Sequence, residues 1–263
     1  MVALHHWDVC AISCRSDIVT PKIVKRNISN DFSKEIYEKT MLVYHFTAGM
    51  MPGAETHLAL PDKINVPYIV CKKDTINEYF DSKYWAYHTG VGLCKNSIGI
   101  EIECWGNLTE FEEWLLPWTK KKSQAVPKSN AMKLSKPFRG FSWFELLTDF
   151  QVEAIDYLTQ LLLDKHPTID TLKTHADIRL TKVDFPPEYN QVYDVIRKYE
   201  SIISSNNQPI WTEMMEINIG SEHKFNEKQI QDRINWLIKR RGWGGGELNR
   251  LIRYRDTKLN KGM

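Results

Sequence analysis

The stretch TMLVYHFTAG, residues 40–49, decides the fold of this chain. Four consecutive apolar residues, Met41 to Tyr44, are typical of a strand that is buried on both faces. His45 follows at the end of this run, and the Thr-Ala-Gly that ends the stretch marks the start of a loop. The stretch therefore predicts a central strand with a histidine at its carboxyl end.

Further strands follow along the chain. Residues 66–71 and 76–80 flank the polar turn KKDT and predict a hairpin. Residues 97–104, SIGIEIEC, alternate, so that three isoleucines face one way while Gly99, Glu101 and Glu103 face the other. Two carboxylates on one face fit a solvated edge or the floor of a site, and periodicity alone does not choose between them.

Two helices are predicted after these strands. Thr148 and Gln151 form a capping-box pattern, and apolar residues then recur at helical spacing as far as His166-Pro167. A further helix is expected after residues 186–187. Strands followed by packed helices predict an α/β fold with a mixed central β-sheet flanked by helices.

Three regions are expected. Residues 1–38 are an N-terminal extension, with a short helix over residues 31–38. Residues 39–203 form the main domain, with a long irregular surface insertion at 106–140. Residues 204–263 begin with a linker and form a basic helical C-terminal extension.

Composition narrows the class of protein. Of 263 residues, 42% are apolar and 26% charged, which is typical of a globular protein in water. The chain has no apolar run of membrane-spanning length and no secretory signal pattern, so we expect synthesis in the cytoplasm. Five scattered cysteines, an odd number, indicate reduced thiols rather than a disulfide scaffold.

The charge is concentrated at one end. Residues 224–263 hold eleven Lys/Arg against four Asp/Glu, a net +7, which leaves −5 for the first 223 residues because the whole chain carries +2. A packed amphipathic helix with its basic face in water explains this, and so does contact with an anionic wall polymer, lipopolysaccharide or membrane surface. Nucleic acid is not expected, because no binding motif accompanies the charge. The sequence leaves the oligomeric state open.

A second stretch, THADIRLTKVD at residues 174–184, carries candidate chemistry. Together with His45 it offers His175 and Asp184, and two imidazoles with one carboxylate suit a catalytic zinc ion that keeps one position open. Lys182 is placed to stabilise an oxyanion. Glu101, or alternatively Glu103, is placed to orient or deprotonate water.

Four motifs resemble, in order, those of the type 2 N-acetylmuramoyl-L-alanine amidases, a family that includes phage amidases and peptidoglycan recognition proteins. VYHFTAG at 43–49 resembles the first zinc-ligand motif. YWAYHTG at 84–90 and NSIGIEIE at 96–103 resemble the next two, and THADI at 174–178 with KVD at 182–184 the last. The resemblance covers roughly residues 40–200.

The resemblance implies an amidase that cleaves the amide between N-acetylmuramic acid and L-alanine of the peptidoglycan stem peptide. It implies that zinc is bound by His45, His175 and Asp184, that Glu101 faces the attacking water and Lys182 the transition state, and that Trp85, His88 and Asn96 line the groove. One departure is the sequence after Asp184, where Phe185-Pro186-Pro187 replaces the family's Pro-Gly.

We expect a phage lysin that another protein releases to the cell wall of the host. A cytoplasmic muropeptide-recycling amidase is the alternative enzyme. A non-catalytic peptidoglycan-binding module is the alternative of another class, although such modules typically lack a zinc ligand.

Overall fold

A computed structural model describes residues 20–27, 32–58, 60, 65–90 and 92–207. In chain order its elements are β1 (Lys22–Lys25), β2 (Met41–Phe46), α1 (Gly53–Leu58), β3 (Tyr68–Val70), β4 (Thr75–Glu78), β5 (Ser97–Ile102), β6 (Asn107–Phe111), β7 (Trp114–Leu116), β8 (Ala131–Phe138), β9 (Phe141–Glu145), α2 (Asp149–Lys165), β10 (Thr171–Thr174), α3 (His175–Ile178) and α4 (Asn190–Asn207).

Six strands form the main sheet in the order β1-β4-β3-β5-β2-β10. The β3–β4 pair is the predicted antiparallel hairpin, and the other neighbours run parallel. The three isoleucines of β5 are buried in one apolar core with α2 residues such as Leu158 and α4 residues such as Ile196. The predicted α/β class, a mixed sheet flanked by helices, is confirmed.

Both long helices lie where the sequence places them. The predicted capping box opens α2, since the Gln151 amide donates to Thr148 Oγ1 at 3.2 Å and the Thr148 amide donates to Gln151 Oε1 at 3.1 Å. The helix ends at Lys165, because Pro167 disfavours helical geometry at the residue before it. α4 continues to Asn207, so the linker predicted from residue 204 is helical that far.

The predicted irregular insertion at 106–140 is instead a second, antiparallel sheet in the order β7-β6-β9-β8. Its strands are short, and the pairing of β8 with β9 shifts register between Lys133 and Phe138. Such an irregularity breaks the two-residue alternation by which a strand is recognised in sequence. The sheet ends at Glu145, five residues beyond the predicted boundary.

The N-terminal prediction also needs correction. Residues 22–25 are the edge strand of the main sheet, paired with β4, and not part of a separate extension. The predicted helix is wrong over the described residues 32–38: Ser33 bridges Trp85, and the Phe32 ring stacks on Phe80 at 4.5 Å. The extension predicted beyond Asn207 lies outside the described residues. Among those described, no helix is long and apolar enough to cross a membrane.

Candidate metal centre

The candidate site lies at the carboxyl end of three adjacent parallel strands. β2 stands between β5 and β10, and its pairing with β5 sets His45 directly beside Glu101. β10 leads into α3, whose first residue is His175. Thr174 caps this turn, because its hydroxyl accepts a hydrogen bond from the Asp177 amide at 3.3 Å. Strand pairing thus brings together residues that are 130 positions apart in the chain.

Three buried side chains converge here: His45, His175 and Asp184. One ligand atom from each lies within 4.8 Å of the others. His45 Nδ1 is 2.9 Å from His175 Nδ1, and His175 Nδ1 is 3.7 Å from Asp184 Oδ1. Two imidazole nitrogens and a carboxylate oxygen at this spacing can hold a metal ion, as the sequence predicts for these three residues.

The histidines are in the form that a cation requires. Burial, reinforced by His88, His175 and Lys182, lowers the pKa of His45 well below its ordinary value. Burial and the nearby charges of Lys182 and Arg179 lower the pKa of His175 to about 4. Both imidazoles are therefore neutral at pH 7 and keep a lone pair for a metal.

The carboxylates show the opposite shift. Burial raises the pKa of Asp184 to about 6, opposed by the Phe46 amide, which donates to Oδ2 at 3.3 Å. Burial and then the charge of Asp184 raise the pKa of Glu101 to about 8, while Lys182 lowers it. Glu101 Oε2 is buried without a hydrogen-bond partner among the described residues. An unpaired acidic oxygen beside neutral imidazoles fits a site that takes a cation and its water.

Glu101 and Glu103 share a face of the chain but not a role. The Glu103 carboxylate accepts hydrogen bonds from the Met51 amide at 2.8 Å and the Lys72 amide at 2.7 Å. Glu101 lines the cavity at the site and has an oxygen to spare. Of the two acids left open by the sequence, the arrangement favours Glu101 for chemistry and Glu103 for holding loops.

The loop that carries Lys182 is held from the second sheet. Arg139, in the β8–β9 turn, donates to the carbonyl oxygens of Ala176 at 3.0 Å, Arg179 at 2.8 Å and Lys182. Phe185 has a positive φ of 52° and is buried, with its ring 5.7 Å from Phe46. These contacts fix the loop where the sequence departs from the family pattern, and Lys182 lines the same cavity as the histidines.

The cavity above the site has a volume of about 1080 Å³. Part of its wall comes from the segment after β7, including Trp118, Ser123 and Gln124. Trp118 is 66% exposed, and its indole N–H donates to the Ala48 carbonyl at 2.7 Å. The sequence did not anticipate this wall, because nothing local links the segment to residue 48.

The three residues predicted to line the groove differ in their position relative to the cavity. His88 is buried, lines the cavity and contacts His45. Trp85 does not line the cavity; it is half-buried, with the Lys95 ammonium 5.3 Å from its ring. Asn96 is exposed just before β5 and donates to the Glu38 carbonyl at 2.9 Å. Of the three residues, His88 therefore lines this cavity, and the predicted contact of Trp85 and Asn96 with a bound substrate stays a prediction.

Comparison with known proteins gave likenesses in structure. No protein-family model and no curated protein matches the chain. The N-acetylmuramoyl-L-alanine amidase LysC from Clostridium intestinale URNW is similar at 19% identity, with 68% of this chain and 98% of that chain covered and a TM-score of 0.42. AmpDh3 from Pseudomonas aeruginosa is similar at 17% identity, with 81% and 72% covered and a TM-score of 0.43.

A third structure is the N-acetylmuramyl-L-alanine amidase AmiD from E. coli, solved with the substrate anhydro-N-acetylmuramic acid-L-Ala-D-gamma-Glu-L-Lys. It is similar at 17% identity, with 77% of this chain and 65% of that chain covered and a TM-score of 0.42. LysC and AmiD are named as enzymes of the class that the sequence motifs resemble. Scores of this size record a partial likeness, and the assignment of function therefore rests on the residues of the site.

Proposed function

We propose that the chain is a zinc-dependent amidase that hydrolyses the bond between N-acetylmuramic acid and L-alanine of the peptidoglycan stem peptide. One observation carries the proposal: a single cavity holds His45, His175 and Asp184 together with Glu101 and Lys182. These are the residues that three of the four motifs, the first, third and last, mark for this chemistry. The resemblance supports the choice of substrate, and the shared cavity supports the choice of site residues.

His45, His175 and Asp184 would hold the zinc ion. When bound, zinc supplies Lewis acidity and makes water a nucleophile at neutral pH. Two neutral histidines and one acid leave a net positive charge at the centre and room for a further ligand. Binding of zinc also removes the cost of ionising Asp184 in a buried position, because the cation replaces the lost hydration.

Glu101 and Lys182 would act on the substrate. The free Oε2 of Glu101 accepts a proton from the attacking water and returns it to the amine of L-alanine as the amide bond breaks. The Lys182 ammonium stabilises the negative charge that develops on the carbonyl oxygen. Loss of a positioned acid–base group costs about 10²- to 10⁴-fold in rate.

The activity is tested on purified sacculi, with mass spectrometry of the released stem peptide. We expect wild type to release peptide with a free L-alanine amino group, His175→Ala to release none, and Glu101→Gln to be slower by about 10²-fold or more. Glu153→Gln, on the exposed face of α2, is the matched control and should behave as wild type. Melting curves check that each variant is folded. Equal release by wild type and His175→Ala would overturn the enzyme assignment in favour of a binding module.

Zinc content is a second test. We expect one zinc ion per chain after dialysis of the wild type and none in Asp184→Ala, because two imidazoles alone bind zinc weakly in competition with buffer. Zinc should also raise the melting temperature of the wild type but not of this variant, since a ligand that binds only the folded state stabilises it. Zinc content is measured by elemental analysis, and the melting temperature is measured at increasing zinc concentrations. Full zinc occupancy in Asp184→Ala would exclude this ligand set.

The form of the substrate separates the two enzymes that fit the site. A lysin, which remains our prediction, cleaves intact sacculi, whereas a recycling amidase prefers soluble anhydro-muropeptides. Relative rates on the two substrates at equal bond concentration are the measurement. A strong preference for the soluble fragments would replace the lysin by the recycling enzyme.

A further inference from the structure

A chain of buried hydrogen bonds runs away from the candidate metal centre. His45 Nε2 lies 3.0 Å from His88 Nδ1, and His88 Nε2 lies 3.0 Å from Ser97 Oγ. Ser97 Oγ in turn donates to the Leu93 carbonyl oxygen at 2.7 Å. All three side chains are buried. The chain begins on the nitrogen of His45 that faces away from His175.

The donor and acceptor of every hydrogen bond in this chain follow from its last acceptor, the Leu93 carbonyl oxygen. A carbonyl oxygen only accepts, so the single Ser97 hydroxyl proton is directed at Leu93. Ser97 Oγ must then accept from His88, which places the His88 proton on Nε2. His88 Nδ1 is left with a lone pair and accepts from His45, so the His45 proton is on Nε2. His45 Nδ1 therefore carries a lone pair, directed at His175 Nδ1, 2.9 Å away.

One further feature keeps His88 in this role. Gly99 makes room for the ring: a Cβ atom there would lie 2.7 Å from His88 Nδ1 and 2.6 Å from a methyl group of Val66. The absence of a side chain at residue 99 is thus part of the arrangement.

We propose that His88, itself fixed by Ser97, is a positioning residue that sets the tautomer and ring orientation of His45 and so presents His45 Nδ1 to the metal ion. The inference rests on the proposed metal site and assigns His88 a task other than lining the substrate groove. A hydrogen bond to the outer nitrogen of a ligand histidine typically contributes about 10- to 100-fold in metal affinity.

The tautomers can be observed in the metal-free, full-length protein. Long-range proton–nitrogen NMR correlations of the imidazole rings distinguish a proton on Nε2 from one on Nδ1. We expect His45 and His88 both to be protonated on Nε2. A His45 ring protonated on Nδ1 would overturn the proposal, whether or not the protein hydrolyses peptidoglycan.

Zinc affinity, measured by competition with a chelator, tests the consequence. His88→Phe keeps a ring but removes the acceptor, and should weaken zinc binding about 10- to 100-fold. His88→Asn keeps an acceptor near the position of Nδ1 and should bind more tightly than His88→Phe. Ser97→Ala should weaken binding by a smaller factor, and Ser129→Ala, at an exposed site, should not change it.

The outcomes separate this inference from the proposed function. Wild-type zinc affinity in folded His88→Phe, with melting curves as the check of folding, would overturn the role of His88 even if wild type releases stem peptide. Weakened zinc binding in a protein that releases no peptide would support the role of His88 and contradict the amidase. A wild type that binds no zinc would overturn both.

Discussion

At the scale of the residue, Glu101 and Glu103 show what sequence can and cannot decide. The two-residue period of β5 predicts that both acids face the same way, and it cannot rank them. What separates them is the Met51 and Lys72 amides, which reach Glu103 from distant loops. That difference arises from tertiary contacts, so it becomes visible only in the folded chain.

The raised pKa of Glu101 contributes stability to the metal-free protein, and this contribution is lost as pH rises from about 4.5 to about 8. In this window the unfolded chain has already released the Glu101 proton, with an ordinary pKa of 4.5, while the folded chain still holds it. The proton therefore favours the folded state at lower pH, and the slope approaches about 1.4 kcal/mol per pH unit for one group.

Urea unfolding of metal-free protein at several pH values measures this slope. Glu101→Gln should remove the part of the pH dependence of the unfolding free energy that Glu101 contributes, because the amide does not titrate. Saturating zinc should also flatten the wild-type curve, since the cation favours the ionised carboxylate. An equal slope in wild type and variant would show that Glu101 titrates near its ordinary pKa.

At the scale of the element, the second sheet does more than fill a surface loop. The segment after β7 forms part of the cavity wall, and the β8–β9 turn supplies Arg139 to three carbonyl oxygens of the Lys182 loop. A planar guanidinium offers five donors in a fixed fork, which suits several acceptors at once. The sheet thus joins the cavity wall to the loop that carries the proposed oxyanion stabiliser.

Replacement of Arg139 should slow the reaction while zinc stays bound. Arg139→Lys cannot reach all three carbonyls, so we expect kcat on a soluble muropeptide to fall about tenfold or more, as for small displacements of catalytic groups. The kcat of Arg139→Ala should fall by at least the same factor. Arg197→Lys, exposed on α4, is the control. A wild-type kcat in zinc-loaded Arg139→Lys would mean that the loop holds its position without this contact.

At the scale of the whole molecule, the local signals proved sufficient for most of the main domain. Buried runs and caps located β2, β5, α2 and α4, and motif order brought His45, His175 and Asp184 together. The edge strand Lys22–Lys25 was not predicted from the sequence, because four residues with two lysines are too few to show the periodicity of a strand. The motifs did not indicate that Trp85 and Asn96 lie outside the cavity lining, because a motif fixes neighbours in sequence and not the direction of a side chain.

Removal of residues 208–263 should leave a folded enzyme with a weaker, less salt-sensitive hold on the wall. The apolar core among the described residues runs from Leu42 to Tyr199, so the shortened chain keeps it. The removed segment includes the net +7 of residues 224–263, and attraction between exposed charges is screened by salt. Binding to sacculi across a salt series, compared with the full chain, is the measurement. Identical salt curves would show that the basic residues do not contact the wall.

The placement of β6–β9 between β5 and α2 bears on how such a protein can diversify. The metal centre belongs to the main sheet, whereas part of the cavity wall belongs to the segment after β7. We therefore expect that the segment at 107–145 can be exchanged while the residues of the metal centre stay the same. Such an exchange must keep Arg139, because this residue holds the loop that carries Lys182. A replacement segment without an arginine at the β8–β9 turn changes the cavity wall and also releases the loop that carries Lys182. A lower rate on one substrate would then reflect the displaced loop rather than a new substrate preference.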